Sequence, residues 1–122
     1  MRIIVVDDTA VTRLLLTNLL NAMGYDVVDN AQDGMDAIVK CKNLKPDVVL
    51  LDITMPGMDG LTAIPRLLEN DPNLKIVICS ALAQKDMVVE AIKKGAVNYM
   101  VKPITKETLE KIMKTLEESS AQ

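Results

Sequence analysis

The feature that most constrains the fold is a fivefold alternation between short β-branched runs and longer stretches of helical period. Ile3–Val6, Val27–Val28, Val48–Leu51, Ile76–Cys79 and Tyr99–Val101 read as strands. The first, third and fourth are continuously apolar, as parallel strands covered on both faces are. Between them, Val11, Leu14, Leu15 and Leu19 line one face of a first helix, which Gly24 is placed to end. Ala37, Ile38 and Cys41 mark a second helix, and Leu61, Ile64 and Leu68 a third. Val88, Ala91 and Ile92 mark a fourth, closed by Gly95. Leu109, Ile112, Met113 and Leu116 follow the i, i+3, i+4, i+7 spacing of a last helix, with Thr105 as its N-cap and Glu107 in its first turn. Five βα units in succession predict an α/β fold, a doubly wound parallel sheet with right-handed crossovers. Pro65 falls inside the third helical pattern, where its missing donor predicts a kink or a late start.

Such a sheet needs an aliphatic core here, since the chain has two Tyr and neither Phe nor Trp. Its 122 residues fit one domain spanning 1–122, with Ser119–Gln122 reading as a frayed tail. The eight scattered methionines read as core filler. Cys41 and Cys79 have no CxxC or Cys/His spacing, so they read as small buried hydrophobes and not as a zinc site or disulfide framework. Histidine is absent, which removes His-based acid–base catalysis, His metal ligands and an internal phosphohistidine. A net charge of −3 argues against nucleic acid as a direct partner, because that affinity rests on Lys and Arg neutralising phosphates. The apolar run Ile3–Val6 stops at Asp7 and Asp8, too short for a signal peptide or a membrane span. A soluble, cytoplasmic protein is the expectation.

In doubly wound sheets, ligands bind outside the carboxyl ends of the strands. Asp7 and Asp8 follow the first predicted strand, Asp52 the third, Ser80 the fourth, and Lys102-Pro103 the fifth. Singly these residues are bland: Asp7 or Asp8 can cap a helix, Asp52 can cap or turn, and Lys-Pro reads as a loop. Together they bring three carboxylates, a hydroxyl and a lysine to one edge. Packed carboxylates raise one another's pKa values, and an oxygen-rich site suits a hard cation such as Mg²⁺. A carboxylate beside a divalent cation and a lysine is arranged to attack a phosphoryl group, whose transfer depends on positioning and charge neutralisation.

The sequence resembles the receiver domains of two-component response regulators. The likeness is carried by VVDDTAVTRLLL, DVVLLDITMPGMDG, VICSALAQ and GAVNYMVKP, and it covers essentially the whole chain. It implies a flavodoxin-like (βα)5 fold with strand order 2-1-3-4-5. By the same likeness Asp52 is the phosphoacceptor, and Asp8, Asp52 and the backbone carbonyl of Thr54 coordinate Mg²⁺. Asp7 holds a metal-bound water. Lys102 contacts the phosphoryl oxygens, with a cis Lys102–Pro103 bond. Ser80 bonds the phosphoryl group, and Tyr99 is the aromatic switch. Thr54 and Leu82 fall where the family tunes phosphoryl lifetime. Gly57 and Gly60 fit a tight turn beneath the site through glycine's φ freedom. Two departures stand out: Ile104 where many relatives carry Phe, and Pro65 in the third helix.

The resemblance implies a stand-alone switch, not an enzyme, within a chemotaxis system. Phosphorylation would draw Ser80 toward the new oxygens, let Tyr99 turn inward and change the surface of the fourth helix, fifth strand and fifth helix. Tyr99 alone also reads as a half-buried tyrosine with a wet hydroxyl. Without histidine in the chain, the phosphodonor is a separate histidine kinase. The chain ends after the fifth helix, so the output is binding to another protein, such as a flagellar or archaellar motor-switch component or an adaptor. A phosphatase is a further expected partner, and the protein is expected to be a monomer. A phosphorelay intermediate is the alternative within the family. Two other classes fit less well. An aspartyl-phosphate phosphatase usually carries a second Asp where Thr54 stands, and an FMN carrier would not open its phosphate loop with Asp-Asp.

Overall fold

The computed structural model describes residues 1–81 and 83–120. Five strands alternate with five helices: β1 (Arg2–Val6), α1 (Ala10–Ala22), β2 (Asp26–Ala31), α2 (Gly34–Leu44), β3 (Val48–Asp52), α3 (Gly60–Asn70), β4 (Lys75–Ser80), α4 (Lys85–Lys94), β5 (Asn98–Val101) and α5 (Lys106–Ser120). All strand pairs are parallel and the order is β2-β1-β3-β4-β5. The predicted fold is therefore the observed one. β1, β3 and β4 are buried along nearly their whole length, which is why they read as unbroken apolar runs.

Successive strand residues point to opposite faces and so feed two separate cores. Ile4, Val6, Val49, Leu51, Ile76 and Ile78 pack under α2, α3 and α4 with Ile38, Ile64, Leu67 and Ala91. Ile3, Val5, Val48, Leu50, Val77 and Cys79 pack under α1 and α5 with Leu16, Leu20, Leu109 and Met113. β2 and β5 are the edges, each paired on one side only. β2 is longer than the predicted Val27–Val28 because its exposed edge tolerates Asp29 and Asn30.

Caps set the helix ends. Asp33 and Asp59 accept from the N–H groups of Asp36 at 2.8 Å and Thr62 at 2.9 Å, while Thr105 Oγ1 accepts from Thr108 N–H at 3.2 Å. The last is the N-cap expected from the sequence. Gly95 closes α4 at φ +121°, a conformation open to glycine.

Several expectations fail. The buried face of α1 is Leu16 and Leu20, whereas Val11, Leu14 and Leu15 are 75%, 63% and 54% exposed. A run of leucines at 14–16 and 19–20 satisfies the helical period on two faces, and the sheet selects the other one. Ile92 also points outward, leaving Ala91 as the buried residue of α4. α3 does not start late: Asp59 caps it, and Gly60 begins it five residues before Pro65. Met35 is 47% exposed rather than filling the core, unlike Met55, Met100 and Met113. α5 runs through Ser120, and the rest of the expected tail, Ala121 and Gln122, lies outside the described residues.

Candidate functional site

β1, β3 and β5 deliver three charged groups to the carboxyl edge of the sheet. Asp7 follows β1, Asp52 ends β3, and Lys102 follows β5. Lys102 Nζ lies 2.9 Å from Asp7 Oδ2 and 3.3 Å from Asp52 Oδ2. Both carboxylates are buried, while Asp8 stands exposed beside them. Oxygen atoms of Asp7, Asp8 and Asp52 lie within 4.8 Å of one another. Backbone amides fix the orientation: Thr9 N–H donates to Asp7 Oδ1 at 2.8 Å and Thr54 N–H to Asp52 Oδ1 at 3.3 Å. Neither Asp7 nor Asp8 caps α1, whose N-cap is Thr9. The Lys102–Pro103 peptide bond is cis.

Three carboxylates against one ammonium leave two negative charges unbalanced when all are ionised. Burial raises the Asp52 pKa, and the charge of Asp7 adds to the rise while Lys102 opposes it. For Lys102, burial is the largest influence and acts to lower the pKa. The hydrogen bond to Asp7 and the charges of Asp52 and Asp7 together outweigh it, so the pKa ends raised. A charged lysine wedged between two carboxylates, with excess negative charge on hard oxygen donors, suits a divalent cation such as Mg²⁺.

Residues 3–114 match the family model of the response regulator receiver domain. The chain belongs to the response regulator receiver family. This receiver domain is 48% identical over 102 residues to chemotaxis protein CheY of Thermotoga maritima, covering 84% of this chain and 85% of that protein. It is 43% identical over 116 residues to chemotaxis protein CheY of Bacillus subtilis, covering 94% and 97% of the two chains. Among solved structures it resembles a chain in the CheX–CheY–BeF3–Mg²⁺ complex of Borrelia burgdorferi, with TM-score 0.88 and 36% identity over 94% of this chain and 88% of that one. It is thus a receiver domain closely related to CheY, a chemotaxis response regulator, and receiver domains are signalling switches rather than turnover enzymes. The Asp7, Asp8 and Asp52 cluster fits the Mg²⁺ site of such domains.

Ser80 ends β4, between the strands that carry Asp52 and Lys102. Its Oγ is buried and has no hydrogen-bond partner among the described residues, while its carbonyl accepts from Lys102 N–H at 2.7 Å. Tyr99, 47% exposed, and Ser80 line one groove of about 470 Å³ together with Val88, Ile92 and Val101. Gly57 has φ +76° and needs glycine for that reason. Gly60 does not: a Cβ there would stand 2.5 Å from the carbonyl oxygen of Asp52, so glycine lets α3 pass close behind the site. Leu82 lies outside the described residues.

Two contributors escaped the sequence reading. Arg13 donates to the Asp7 carbonyl at 2.7 Å and to Asn30 Oδ1 at 3.0 Å, holding the β1–α1 loop from α1. Gln84, the N-cap residue of α4, bonds across to Thr54. Each is a polar residue near a helix start, a position too common in any sequence to mark it out.

Proposed function

We propose that the chain is the stand-alone response regulator of a chemotaxis-type two-component system, switched by phosphorylation of Asp52. The observation that carries this reading is the Lys102 ammonium held between Asp7 Oδ2 and Asp52 Oδ2, at 2.9 Å and 3.3 Å. Asp8, Asp52 and the Thr54 carbonyl would hold Mg²⁺, with Asp7 acting through a bound water. The cation would supply charge neutralisation on the phosphoryl oxygens.

Asp52 is the nucleophile. One of its carboxylate oxygens attacks the phosphorus of a phosphohistidine or an acyl phosphate. The bond from phosphorus to nitrogen or to acyl oxygen breaks, and its electron pair leaves with the donor. Lys102 steadies the oxygens that gain charge, as positioned cations do in phosphoryl transfer. Water attack on the same phosphorus later returns the carboxylate and inorganic phosphate. Ser80 offers a buried hydroxyl that lacks a partner among the described residues, and an unpaired buried hydroxyl costs about 1–3 kcal/mol. A phosphoryl oxygen would satisfy it. As Ser80 moves, Tyr99 turns into the groove both residues line, and the α4–β5–α5 surface changes.

The donor is a separate histidine kinase, since the chain has no histidine. The output partner is another protein, such as a motor-switch component or an adaptor. A CheX-like phosphatase is the natural counter-partner, given the complex of the Borrelia relative. The proposed place of action is the cytoplasm. Among the described residues no helix is long and apolar enough to cross a membrane.

Incubation with Mg²⁺ and acetyl phosphate should add the mass of one phosphoryl group to the wild type and nothing to Asp52→Asn. An unmodified wild type, alongside a positive control that is modified, refutes the reading.

A further inference from the structure

We infer that Gln84 is a latch that holds the β4–α4 turn in its resting position and must let go when the switch fires. This rests on the reading of Asp52 as phosphoacceptor. Ala81 follows Ser80 directly and opens a turn closed by Gln84 N–H donating to the Ala81 carbonyl at 3.2 Å. The Gln84 side chain then folds back over that turn. Its Oε1 accepts from Ala81 N–H at 2.6 Å, and its Nε2 donates to Thr54 Oγ1 at 2.6 Å. The carboxamide carries its acceptor and its donor on two separate atoms at the end of one uncharged side chain, so it can hold both partners at once. Thr54 in turn contacts the acceptor residue, its N–H donating to Asp52 Oδ1 at 3.3 Å. One side chain therefore ties the loop after β4 to the loop after β3.

The consequence follows from chain connectivity. A displacement of the Ser80 backbone toward a phosphoryl group on Asp52 carries Ala81 N–H with it. That motion breaks either the bond from Ala81 to Gln84 or the bond from Gln84 to Thr54. Gln84 is thus a positioning residue: it acts on Ser80 through Ala81 and biases the unphosphorylated domain toward rest. A hydrogen bond of ordinary net worth sets that bias at about three- to tenfold in the resting-to-active ratio.

The test compares the wild type with Gln84→Ala, Thr54→Val and the double variant, each checked for an unchanged fold by circular dichroism. Thr54→Val removes the hydroxyl and leaves the backbone carbonyl in place. Two quantities are read by NMR: exchange of the Ala81 amide without any phosphoryl analogue, and the beryllofluoride concentration giving half-maximal shift with Mg²⁺. In Gln84→Ala, Ala81 exchange should quicken and the half-maximal concentration should fall about three- to tenfold. Thr54→Val should lower it in part, and the double variant should fall no further than Gln84→Ala, since the two residues form one tie. Unchanged Ala81 exchange in Gln84→Ala overturns the latch, because the bond is then not held in solution. Faster exchange with an unchanged beryllofluoride response overturns it too, and leaves the Asp52 reading standing. A wild type that neither responds to beryllofluoride nor accepts phosphate overturns the Asp52 reading and the latch with it. That case is recognised separately, because the exchange comparison needs neither reagent.

Discussion

At the scale of single residues, burial raises the Asp52 pKa, with the charge of Asp7 adding to it and Lys102 opposing. A carboxyl raised in the folded state holds its proton more tightly there than in the unfolded chain. The stability this contributes is fully present below the ordinary carboxylate pKa of about 4, and it is lost as pH rises through the raised folded value. Without a divalent cation, ionised Asp52 therefore costs the fold stability at neutral pH. Asp52→Asn keeps the shape and removes the charge, so its melting temperature in chelator should exceed that of the wild type at pH 7 by a few degrees, with the gap narrowing at pH 4. Thermal scans at the two pH values decide it, and an equal or lower value for the variant at pH 7 counts against this account. The two cysteines behave oppositely to reactive thiols. Burial pushes Cys41 and Cys79 up to about 12, so both stay protonated and inert in the folded state.

At the scale of elements, α3 carries a residue that helices resist. Pro65 sits six positions into α3, where it supplies no donor to the carbonyl four residues back. The helix survives because the Asp59 cap fixes its start and Ala63, Ile64 and Leu67 are buried against the sheet. Pro65→Ala on this exposed position should restore the bond and stabilise the domain by about 1–2 kcal/mol, the helix gain being offset in part by a more flexible unfolded chain. Urea titration would register it as a higher midpoint at unchanged slope. Strands that are buried on both faces were legible as such, because β1, β3 and β4 leave no polar position to interrupt the run. The same holds for most of the site, since Asp7, Asp52 and Ser80 come at the ends of those legible strands or next to them, while Lys102 follows the shorter edge strand β5. What stayed hidden depends on choices between faces. α1 had two apolar stripes and no local signal for which one meets the sheet. The tie from Gln84 to Thr54 spans 30 residues and has no period at all.

At the scale of the whole molecule, the two cores are sealed from each other by the sheet, and the acidic edge is where both end. A cation bound there only in the folded state stabilises everything at once. At 100 times its dissociation constant the gain is about 2.7 kcal/mol. Mg²⁺ should accordingly raise the melting temperature by several degrees at constant ionic strength, and Asp8→Ala should abolish most of the rise. A shift that NaCl reproduces would mean screening rather than a site.

The Lys102 to Asp7 contact closes over 95 residues of chain. During synthesis, which proceeds from the N-terminus, Asp7 and Asp52 emerge from the ribosome long before the cation that balances them. The growing chain thus carries its acids uncompensated until β5 docks at the far edge of the sheet. The charge-balanced edge is then completed in one step, only once β5 has joined the sheet and brought Lys102 between Asp7 and Asp52.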